Sequence, residues 1–572
     1  MQSMRVGALG SCCLQPVAGV PSLYHRGTLA DQTRCPYSRA SVPTQAQARL
    51  TELRRPQHVA AGSSCHRLAL RKRSSICRAK QQTNAATSPD PAPPVNPPAW
   101  PGAKPVPMAL SLLAGAVVKF IIPCPAGLST QAWTLLALFV STIAGLVLEP
   151  LPTGAWAFLA VTAGVAAKIM PFQAAFSAFS NDAIWLIVVS FFFAAGFQKT
   201  GLGERVAQLF VRAFGKSSLG LAYGLSAAEM FLAPAMPSTT ARAGGIFMPI
   251  INSLAKAAGS EPGQPSRNKL GAFLVQCQFQ GSVNSSAMFL TGAAQNLLAL
   301  KLATELGVII ASPWLTWFKA AVVPALVGLA LTPLLLYQVC RPEITDTPDA
   351  PRQAQEHLSR MGPMSRDEKI MMGVMLAAIV LWIFGDQVGV APVVAAMMGL
   401  SALLLTGVLK WKECLQYSQA WDTLFWFAVL VSMSGQLNAQ GVVGFFSDQV
   451  GKKLASLNMG WTGIFGLLNI AYFGLHYMFA SQTAHVSALY AAFVAMMMAS
   501  GVPPVLAALS LGYVSNLFGS ITHYGSGQGA VYYGANFLTL PEIFKVGAMI
   551  AVFNIAVWGS VGSLWWKFLG LM

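Results

Sequence analysis

A short polar run, residues 235–245, lies inside apolar sequence and restricts what this chain can fold into. Apolar stretches 219–232 and 246–254 flank it, and it contains a proline, three consecutive hydroxyl residues, an arginine and two glycines. Proline and Ser/Thr/Gly runs favour a break over a continuing helix, and irregular backbone at membrane depth survives only beside protein or a water-filled cavity. An arginine there is costly and needs an anionic partner. We therefore predict a re-entrant tip or broken helix that faces a cavity for an anion; the alternative is a short loop between two spans, with Arg242 at the lipid interface.

A second run, 479–485, repeats the pattern. Both runs have the form Ser-x-Thr-Ala followed by a basic or titratable residue, which is Arg242 in the first and His485 in the second. Upstream, Asp182 and Asp422 open corresponding apolar stretches, and we predict that each caps its own helix. The membrane part is therefore predicted to consist of two related halves. Paired interrupted segments in two halves indicate the binding site of a transporter.

The composition is that of a membrane protein. The chain is 54% hydrophobic and 10% charged, with a mean hydropathy of +0.55, whereas soluble domains are about one quarter charged. A membrane-spanning helix needs about 20 predominantly apolar residues. The predicted spans are 107–126, 130–149, 154–170, 183–198, 312–338, 369–385, 389–409, 422–438 and 541–566.

The N-terminal segment, residues 1–80, differs from the rest of the chain. It is rich in Arg and Ser, and its acids are Asp31 and Glu52. This composition is typical of an organelle transit peptide; the alternative is a disordered basic tail that binds anionic lipid or nucleic acid. Because most of the formal net charge of +17 lies in this segment, we interpret the basic charge as a targeting signal and predict no nucleic-acid partner. Residues 81–106 form a predicted Pro-rich linker.

The polar connection 340–368 carries charges of both signs and several prolines. We predict a solvated linker there, which separates an N-terminal transmembrane half, 107–339, from a C-terminal half, 369–572. Cysteines outside the N-terminal segment are scattered, which predicts no metal site. The sequence contains no His-Glu-x-x-His motif and no clustered acid pair inside the spans. We therefore predict no cofactor and no catalytic residue, and we predict that the chain is not an enzyme.

Further polar interruptions fall in matching places of the two halves. The first half contains 281–286 and 291–296, and the second contains 515–516 and 519–529. If these breaks meet the Ser/Thr tips near the midplane, four polar backbone segments enclose one cavity. Helix N-termini there would direct N–H groups and a positive dipole end at an anion, and hydroxyl and amide side chains would hold carboxylate oxygens. The alternative is that Gly and Ser only let the helices pack closely.

Four runs, 237–245, 479–485, 519–528 and 565–571, resemble the plastid dicarboxylate translocators of the divalent-anion/sodium symporter family. The resemblance covers essentially residues 100–572. It implies an all-α polytopic membrane protein with two inverted repeats, each with a re-entrant hairpin and a broken helix, usually as a homodimer in the plastid inner envelope. It also implies alternating-access exchange of small dicarboxylates, 2-oxoglutarate for malate. The alternatives are exchange of glutamate for malate, and a sodium- or proton-coupled symporter of the same fold.

One departure from that family pattern concerns the tips. Sodium-coupled relatives carry Ser-Asn-Thr at each tip, whereas the matching residues here, 238–240 and 481–483, lack the Asn. This departure puts sodium coordination in doubt. We hypothesise that Arg242 and His485 supply the positive charge instead, so that an empty site reorients poorly and exchange becomes obligate. The alternative is that Arg242 neutralises helix ends and His485 is a satisfied polar residue in the bundle.

The predicted substrate-binding residues are polar side chains of the two tips and the two breaks. They are Ser238, Thr239, Thr240, Arg242, Asn284, Thr291, Asn296, Ser481, Gln482, Thr483, His485, Ser520, Thr522, His523 and Gln528. The predicted partners are small dicarboxylate anions, membrane lipid and a second copy of the chain.

Overall fold

The computed structural model of this protein describes residues 102–455 and 459–572. The predicted transit peptide, 1–80, and most of the predicted linker, 81–106, lie outside the described residues. The described residues form helices and no strand, which confirms the all-α fold class. The α-helices are α1 (Pro105–Ala116), α2 (Thr130–Leu148), α3 (Thr153–Ala166), α4 (Phe172–Phe176), α5 (Asp182–Thr200), α6 (Leu202–Phe214), α7 (Ser218–Leu232), α8 (Thr239–Arg242), α9 (Met248–Ala257), α10 (Gly271–Met288), α11 (Ala294–Glu305), α12 (Pro313–Val339), α13 (Asp349–Met361), α14 (Arg366–Phe384), α15 (Pro392–Leu405), α16 (Trp411–Gln416), α17 (Ser418–Ala439), α18 (Val442–Ala455), α19 (Trp461–Leu475), α20 (Gln482–His485), α21 (Ala491–Ala499), α22 (Pro504–Leu517), α23 (Gly527–Gly534), α24 (Leu540–Val557) and α25 (Ser563–Phe568).

Several of these helices are suited to a lipid environment. Within the described ranges, five helices are long and apolar enough to cross a membrane by length and composition: Thr130–Leu148, Asp182–Thr200, Pro313–Val339, Gln482–Ala499 and Leu540–Phe568. Large apolar side chains such as Leu405 and Phe568 stand exposed on the outside of the bundle, where hydrocarbon can cover them. Together these features confirm the polytopic membrane class.

The order of elements is repeated along the chain. Helices α2 to α12 have counterparts, in the same order, in α14 to α24. Each copy contains a four-residue helix, α8 or α20, which continues through π-helical residues into α9 or α21. Each copy also contains an interrupted pair, α10 and α11 or α22 and α23, with a 3₁₀ turn in the gap. This repeated order supports the prediction of two related halves, and the division into halves and the inverted orientation of one against the other stay predictions.

The connection 340–368 is more ordered than the sequence indicates. It was predicted to be a solvated linker, yet it contains the amphipathic helix α13, whose Ala350, Ala354 and Leu358 are buried. Helix α13 packs on α6. The charged residues within α13, namely Asp349, Arg352, Glu356 and Arg360, lie on its exposed face, and the apolar face packs onto the bundle.

The two acids predicted to cap corresponding helices have different roles. Helix α5 begins at Asp182, but its N-cap is Asn181, whose side chain accepts a hydrogen bond from Ala183 N–H. Helix α17 begins earlier than expected, at Ser418, so Asp422 lies inside it. The Asp422 carboxylate caps α3 instead, accepting hydrogen bonds from Thr153 Oγ1 at 2.6 Å and Gly154 N–H at 2.9 Å. The prediction that Asp422 caps its own helix is therefore wrong, because its helix starts a full turn before it.

Buried aromatic residues join the two halves behind these helices. Trp317 of α12 and Tyr513 of α22 pack edge to face with ring centroids 4.8 Å apart. The Tyr513 hydroxyl donates to the Trp317 carbonyl at 3.0 Å, and Trp317 Nε1 donates to Ala287 at the end of α10. Such pairs add about 0.5–1.5 kcal/mol beyond the area they bury, so this contact fixes α10 against α22 close to both interrupted pairs.

Candidate functional site

The first polar run forms a turn that we call tip 1, residues 237–242. A 3₁₀ turn, Ala233–Ala235, follows α7, and the chain is extended at Met236. Ser238 is the N-cap of α8, and its hydroxyl accepts a hydrogen bond from Ala241 N–H at 3.2 Å. A serine cap contributes about 1 kcal/mol, so this residue fixes where the helix from Thr239 onwards begins.

The second polar run, tip 2, residues 480–485, has the same local structure. A 3₁₀ turn, His476–Met478, precedes it, and Ser481 is the N-cap of α20. The Ser481 hydroxyl accepts from Ala484 N–H at 3.5 Å and lies 2.8 Å from the Thr483 hydroxyl. The same Ser-x-Thr-Ala pattern therefore produces the same extended-then-helical turn twice.

Both tips face one cavity of about 290 Å³. The cavity is lined by Leu146, Glu149, Thr153, Phe191, Pro237, Ser238, Thr239, Thr240, Ala294, Gln295, Gln419, Asp422, Thr423, Trp426, Ser481, Gln482, Thr483, Ala484 and Gly527. The structure therefore places six of the predicted binding residues around a single space, namely the hydroxyl and amide residues of the two tips. Its volume is close to the lower limit of about 300 Å³ for small-molecule sites.

Four helix N-termini contribute to the wall of this cavity. Thr239 and Gln482 are the first residues of α8 and α20, and Ala294 and Gly527 are the first residues of α11 and α23. All of these residues line the cavity. The first N–H groups of a helix have no partner within the helix and carry the positive end of its dipole. The cavity is therefore suited to an anion without an Arg or Lys in its wall.

A layer of amide side chains lies behind the cavity wall and crosses between the halves. Thr239 Oγ1 donates to Gln528 Oε1 at 2.7 Å. Gln295 Nε2 donates to Asn516 Oδ1 at 3.0 Å, and Asn516 Nδ2 donates to Asn296 Oδ1 at 2.6 Å. Asn296 and Gln528, both predicted to bind substrate, are buried. Gln528 holds the wall residue Thr239 directly, whereas Asn296 is linked to the wall residue Gln295 through Asn516.

The other predicted residues of the first break do not line the cavity. Asn284 is buried in contact with α24, where its Nδ2 donates to Asn554 Oδ1 at 3.2 Å and its Oδ1 accepts from Trp558 Nε1 at 3.0 Å. Thr291 is buried and donates to the Pro234 carbonyl at 2.8 Å. Backbone groups freed by a helix break need partners inside the protein. Thr291 supplies such a partner for the Pro234 carbonyl and does not face the cavity.

The predicted residues of the second break also lie outside the cavity wall. Ser520 donates to a backbone carbonyl three residues earlier, and Thr522 Oγ1 accepts from Gly525 N–H at 2.8 Å. The His523 ring packs against Tyr533 with centroids 4.7 Å apart. Polar residues at this break shape the loop that leads to Gly527, and only the backbone at Gly527 reaches the cavity.

Arg242 is held by its own half and does not face the cavity. It is fully buried, and its Nε donates to Glu229 Oε1 at 2.7 Å. Its Nη1 donates to the carbonyls of Met236 and Gly292, and its Nη2 donates to Ser286 Oγ at 2.8 Å. The hypothesis of a free positive charge for substrate at this position is therefore corrected: the nearby carboxylate neutralises the guanidinium, as a charge buried in a protein requires.

His485 is likewise enclosed by its own half. It is fully buried, and its Nδ1 lies 3.4 Å from Nδ1 of His476. The rings of Tyr472 and Phe518 pack against it at centroid distances of 4.4 and 4.6 Å. The structure does not place this side chain at the cavity wall, so the proposed replacement of sodium by Arg242 and His485 has no geometric support.

Several cavity residues were not predicted from the sequence. They are Glu149, Thr153, Gln295, Gln419, Asp422, Thr423 and Trp426. Gln295 is adjacent to Asn296, and only the helical phase from Ala294 decides which of the two amides faces the cavity. Asp422 was visible as an acid at the start of an apolar run, but its contact with α3 arises only from tertiary packing.

The charged side chains of the cavity wall are acidic. Among the described residues that line it, Glu149 and Asp422 are acids, and none is Lys, Arg or His. Glu149 is exposed, and Asp422 is half-buried beside Thr153. The helix N-termini and the acids therefore face the same space, an arrangement that would accept a dianion together with a positive group.

The family model for the transmembrane region of sodium:sulfate symporters matches residues 105–572. This chain belongs to that family.

Relatives within the family carry names that describe transport. The chain is 60% identical to the Dicarboxylate transporter 2, chloroplastic, of Spinacia oleracea over 82% of this chain and 83% of that protein. It is 57% identical to the Dicarboxylate transporter 2.1, chloroplastic, of Arabidopsis thaliana over 82% of this chain and 84% of that protein. It is 50% identical to the Dicarboxylate transporter 1, chloroplastic, of Spinacia oleracea over 82% of this chain and 83% of that protein.

Proposed function

We propose that this chain exchanges small dicarboxylates, 2-oxoglutarate for malate, across the plastid inner envelope by alternating access. The observation that carries the proposal is the convergence of four helix N-termini and two Ser/Thr tips on one cavity. The names of the relatives, chloroplastic dicarboxylate transporters, support both the substrate class and the compartment. The transit peptide in 1–80 and a homodimer in the membrane belong to the same proposal.

The two ends of a dicarboxylate match the two tips. One carboxylate would accept hydrogen bonds from the N–H groups and hydroxyls of tip 1, and the other from those of tip 2. Gln295 also lines the cavity, and its amide would offer the N–H that is not donated to Asn516. Such a site recognises two separated carboxylates without a fixed charge, because hydrogen bonds to a charged group contribute about 1.5–3 kcal/mol each.

The same geometry favours exchange over uniport. When a cavity closes empty, helix N–H groups lose water without gaining a partner, and each unpaired group costs about 1–3 kcal/mol. A bound dianion satisfies these groups and allows the closed state to form. Reorientation is therefore favoured only when the site is loaded, and a loaded return step makes the transporter an exchanger.

A second candidate function follows from the acids in the cavity wall. Asp422 and Glu149 repel a dianion but would attract the ammonium group of glutamate, or a sodium ion or proton that travels with the substrate. Glutamate-for-malate exchange and cation-coupled symport are therefore the alternatives. Both predict that a positive group enters the cavity with the carboxylates.

Reconstituted transport separates these functions. The purified full chain is placed in liposomes that are empty or preloaded with malate, 2-oxoglutarate or glutamate, and uptake of labelled malate is measured with and without a sodium or proton gradient. Uptake that requires internal 2-oxoglutarate and ignores both gradients supports the proposal. Uptake that requires internal glutamate supports the first alternative, and uptake into empty vesicles driven by either gradient would overturn exchange.

A substitution of Asp422 tests the ammonium interaction directly. Asp422→Asn removes the charge and keeps polar atoms for Thr153 and Gly154. If glutamate is a substrate, its KM rises by at least about tenfold, since the loss of a close charge pair exceeds about 1.4 kcal/mol, and the KM for malate does not rise. Asp182→Asn is the matched control, because Asp182 is exposed at the start of α5 and does not line the cavity. If Asp422→Asn raised the KM for glutamate and the KM for malate equally, ammonium recognition by Asp422 would be refuted.

A further inference from the structure

The buried ion pair of Arg242 and Glu229 connects three parts of the first half. Glu229 lies in the last turn of α7, and Arg242 ends α8. The second carboxylate oxygen of Glu229 accepts from Gln278 Nε2 of α10 at 3.1 Å. Both charged side chains are almost completely buried, with exposures of 0% and 2%. A charge pair in such a location needs every remaining donor and acceptor to be occupied.

The hydrogen bonds of Arg242 bind tip 1 to the break in the same half. Nη1 bridges the carbonyl of Met236, which leads into the tip, and the carbonyl of Gly292, which leads out of the break. The backbone repeats this link, since Ala294 N–H donates to the Pro237 carbonyl at 3.1 Å. One guanidinium therefore sets the distance between the segments that begin α8 and α11.

Both of these helix starts belong to the cavity wall. Thr239 and Thr240 come directly after the tip's N-cap, and Ala294 and Gln295 come directly after the break. A planar guanidinium has donors at fixed angles, so it can hold two carbonyls and a carboxylate in one geometry, whereas an ammonium cannot. A change at Arg242 would move two of the four helix N-termini relative to each other.

We propose that Arg242 and Glu229 are positioning residues, which set substrate affinity by fixing tip 1 against the first break without touching the substrate. This inference rests on the proposed function, because the affinity in question is that for the exchanged dicarboxylate. It explains why tip 1 ends in an arginine, although Arg242 does not face the cavity.

The test compares Arg242→Lys with a matched control, Arg205→Lys. Arg205 forms the other deeply placed pair, donating to Glu368 Oε1 at 2.5 Å and Oε2 at 3.1 Å and to the Gly362 carbonyl at 3.0 Å, and it does not line the cavity. Exchange kinetics in liposomes and hydrogen–deuterium exchange in detergent are measured for both. Displacement of binding groups by about 1 Å can cost up to about 100-fold. We expect a KM increase between about tenfold and about 100-fold for Arg242→Lys, with the maximal rate changed by less than about twofold.

Deuterium uptake supplies a readout that does not depend on transport. Arg242→Lys is expected to raise uptake in peptides covering 236–242 and 290–296, whereas Arg205→Lys raises uptake only around α6 and the start of α14. If the wild-type protein exchanges no dicarboxylate, the proposed function fails. The change in deuterium uptake in 236–242 and 290–296 would still show whether Arg242 holds tip 1 against the first break. Unchanged KM and unchanged uptake in the Arg242→Lys protein would overturn the inference, as would an equal KM increase in both variants.

A milder variant keeps the test informative if Arg242→Lys does not insert into the membrane. Ser286→Ala removes the acceptor of Arg242 Nη2 and leaves the ion pair intact. Ser286 is buried and does not line the cavity. We expect a smaller KM increase than for Arg242→Lys, about threefold, with the same peptides affected, because the ion pair and both carbonyl bonds of Arg242 remain and only part of the lost bond's effect reaches the cavity wall. A KM equal to that of the wild-type protein, with unchanged uptake in 236–242, would count against the positioning role.

Discussion

Tip 1 and tip 2 share a backbone but are held in place by different chemistry. Both have a 3₁₀ turn, an extended residue, a serine N-cap and a four-residue helix followed by π-helical residues. Behind tip 1 lies the ion pair of Arg242 and Glu229. At the equivalent positions behind tip 2 lie His485 and Tyr472, whose rings pack edge to face.

The hydrogen bonds that tie each tip to the break in its own half also differ, since one set comes from a charged side chain and the other from neutral side chains. Tip 1 is tied to its break by a charged side chain that donates to Gly292. Tip 2 is tied by neutral groups: Gln482 Nε2 donates to the carbonyls of Ser515 and Asn516 at 3.1 Å, and His476 Nε2 bonds the Gly525 carbonyl at 2.8 Å. The Ser-x-Thr-Ala pattern therefore specifies the turn, whereas the side chains that tie the turn to its break differ between the two tips.

The largest expected difference between the tips is seen when each anchor is broken. Glu229→Gln leaves the Arg242 charge buried without its partner, and breaking a buried pair costs about 3–5 kcal/mol. Tyr472→Phe removes one hydrogen bond to Ser515, which contributes about 0.5–1.5 kcal/mol. Thermal unfolding in detergent measures both, and equal losses would show that the two anchors are energetically alike.

Two glycines test how closely each tip is packed. A Cβ at Gly527 would lie 2.0 Å from Thr240 Oγ1, and a Cβ at Gly519 would lie 2.3 Å from Gln482 Nε2. Overpacking costs about 1–3 kcal/mol. Gly527→Ala is expected to push Thr240 into the cavity and raise the KM more than it lowers stability. Gly519→Ala is expected to displace Gln482 from its two carbonyls and lower stability as well, so kinetics and unfolding measured together distinguish the tips.

The serine caps should give a smaller and more nearly equal pair of effects. Ser238→Ala and Ser481→Ala each remove a cap of about 1 kcal/mol and a hydroxyl from the cavity wall. The bond to Ala241 at 3.2 Å is shorter than that to Ala484 at 3.5 Å, so Ser238→Ala is expected to destabilise more. A larger loss of stability in the Ser481→Ala protein would contradict this ranking.

The exposed ion pair of Lys199 and Glu413 is expected to stabilise the protein less than the buried pair of Arg242 and Glu229. Hydrogen bonds from Lys199, then from the Lys410 backbone, hold the pKa of the Glu413 carboxyl below its ordinary value of 4.5. Because this pKa is lowered in the folded state, the stabilisation is present at neutral pH and is lost as the pH falls through the lowered pKa. Glu413→Gln is expected to cost at most about 1 kcal/mol at pH 7. The cost, measured by unfolding at several pH values, should decline below pH 4.5; a cost independent of pH would exclude the ion pair as its source.

The residues that could be predicted from the sequence are those whose role depends on their neighbours along the chain. In both copies of the pattern the serine, Ser238 or Ser481, is the helix N-cap, and Thr240 and Thr483 line the same cavity. The role of Asp422 could not be predicted in this way, because its partners Thr153 and Gly154 come from a distant helix. The burial of Arg242 was equally hidden, since Glu229 lies in an apolar helix and nothing local shows that the two side chains meet.

Hydropathy and turn chemistry act over a few residues, so the membrane class and the location of both polar tips could be predicted from the sequence alone. Which polar groups face the cavity, and which hydrogen-bond inside the bundle, depends on tertiary packing. Inside a bundle each charge must find a partner, and that partner is chosen by packing between distant helices. For this reason Glu229 neutralises Arg242, and the cavity that we propose for the substrate is lined by helix N-termini and hydroxyl groups instead.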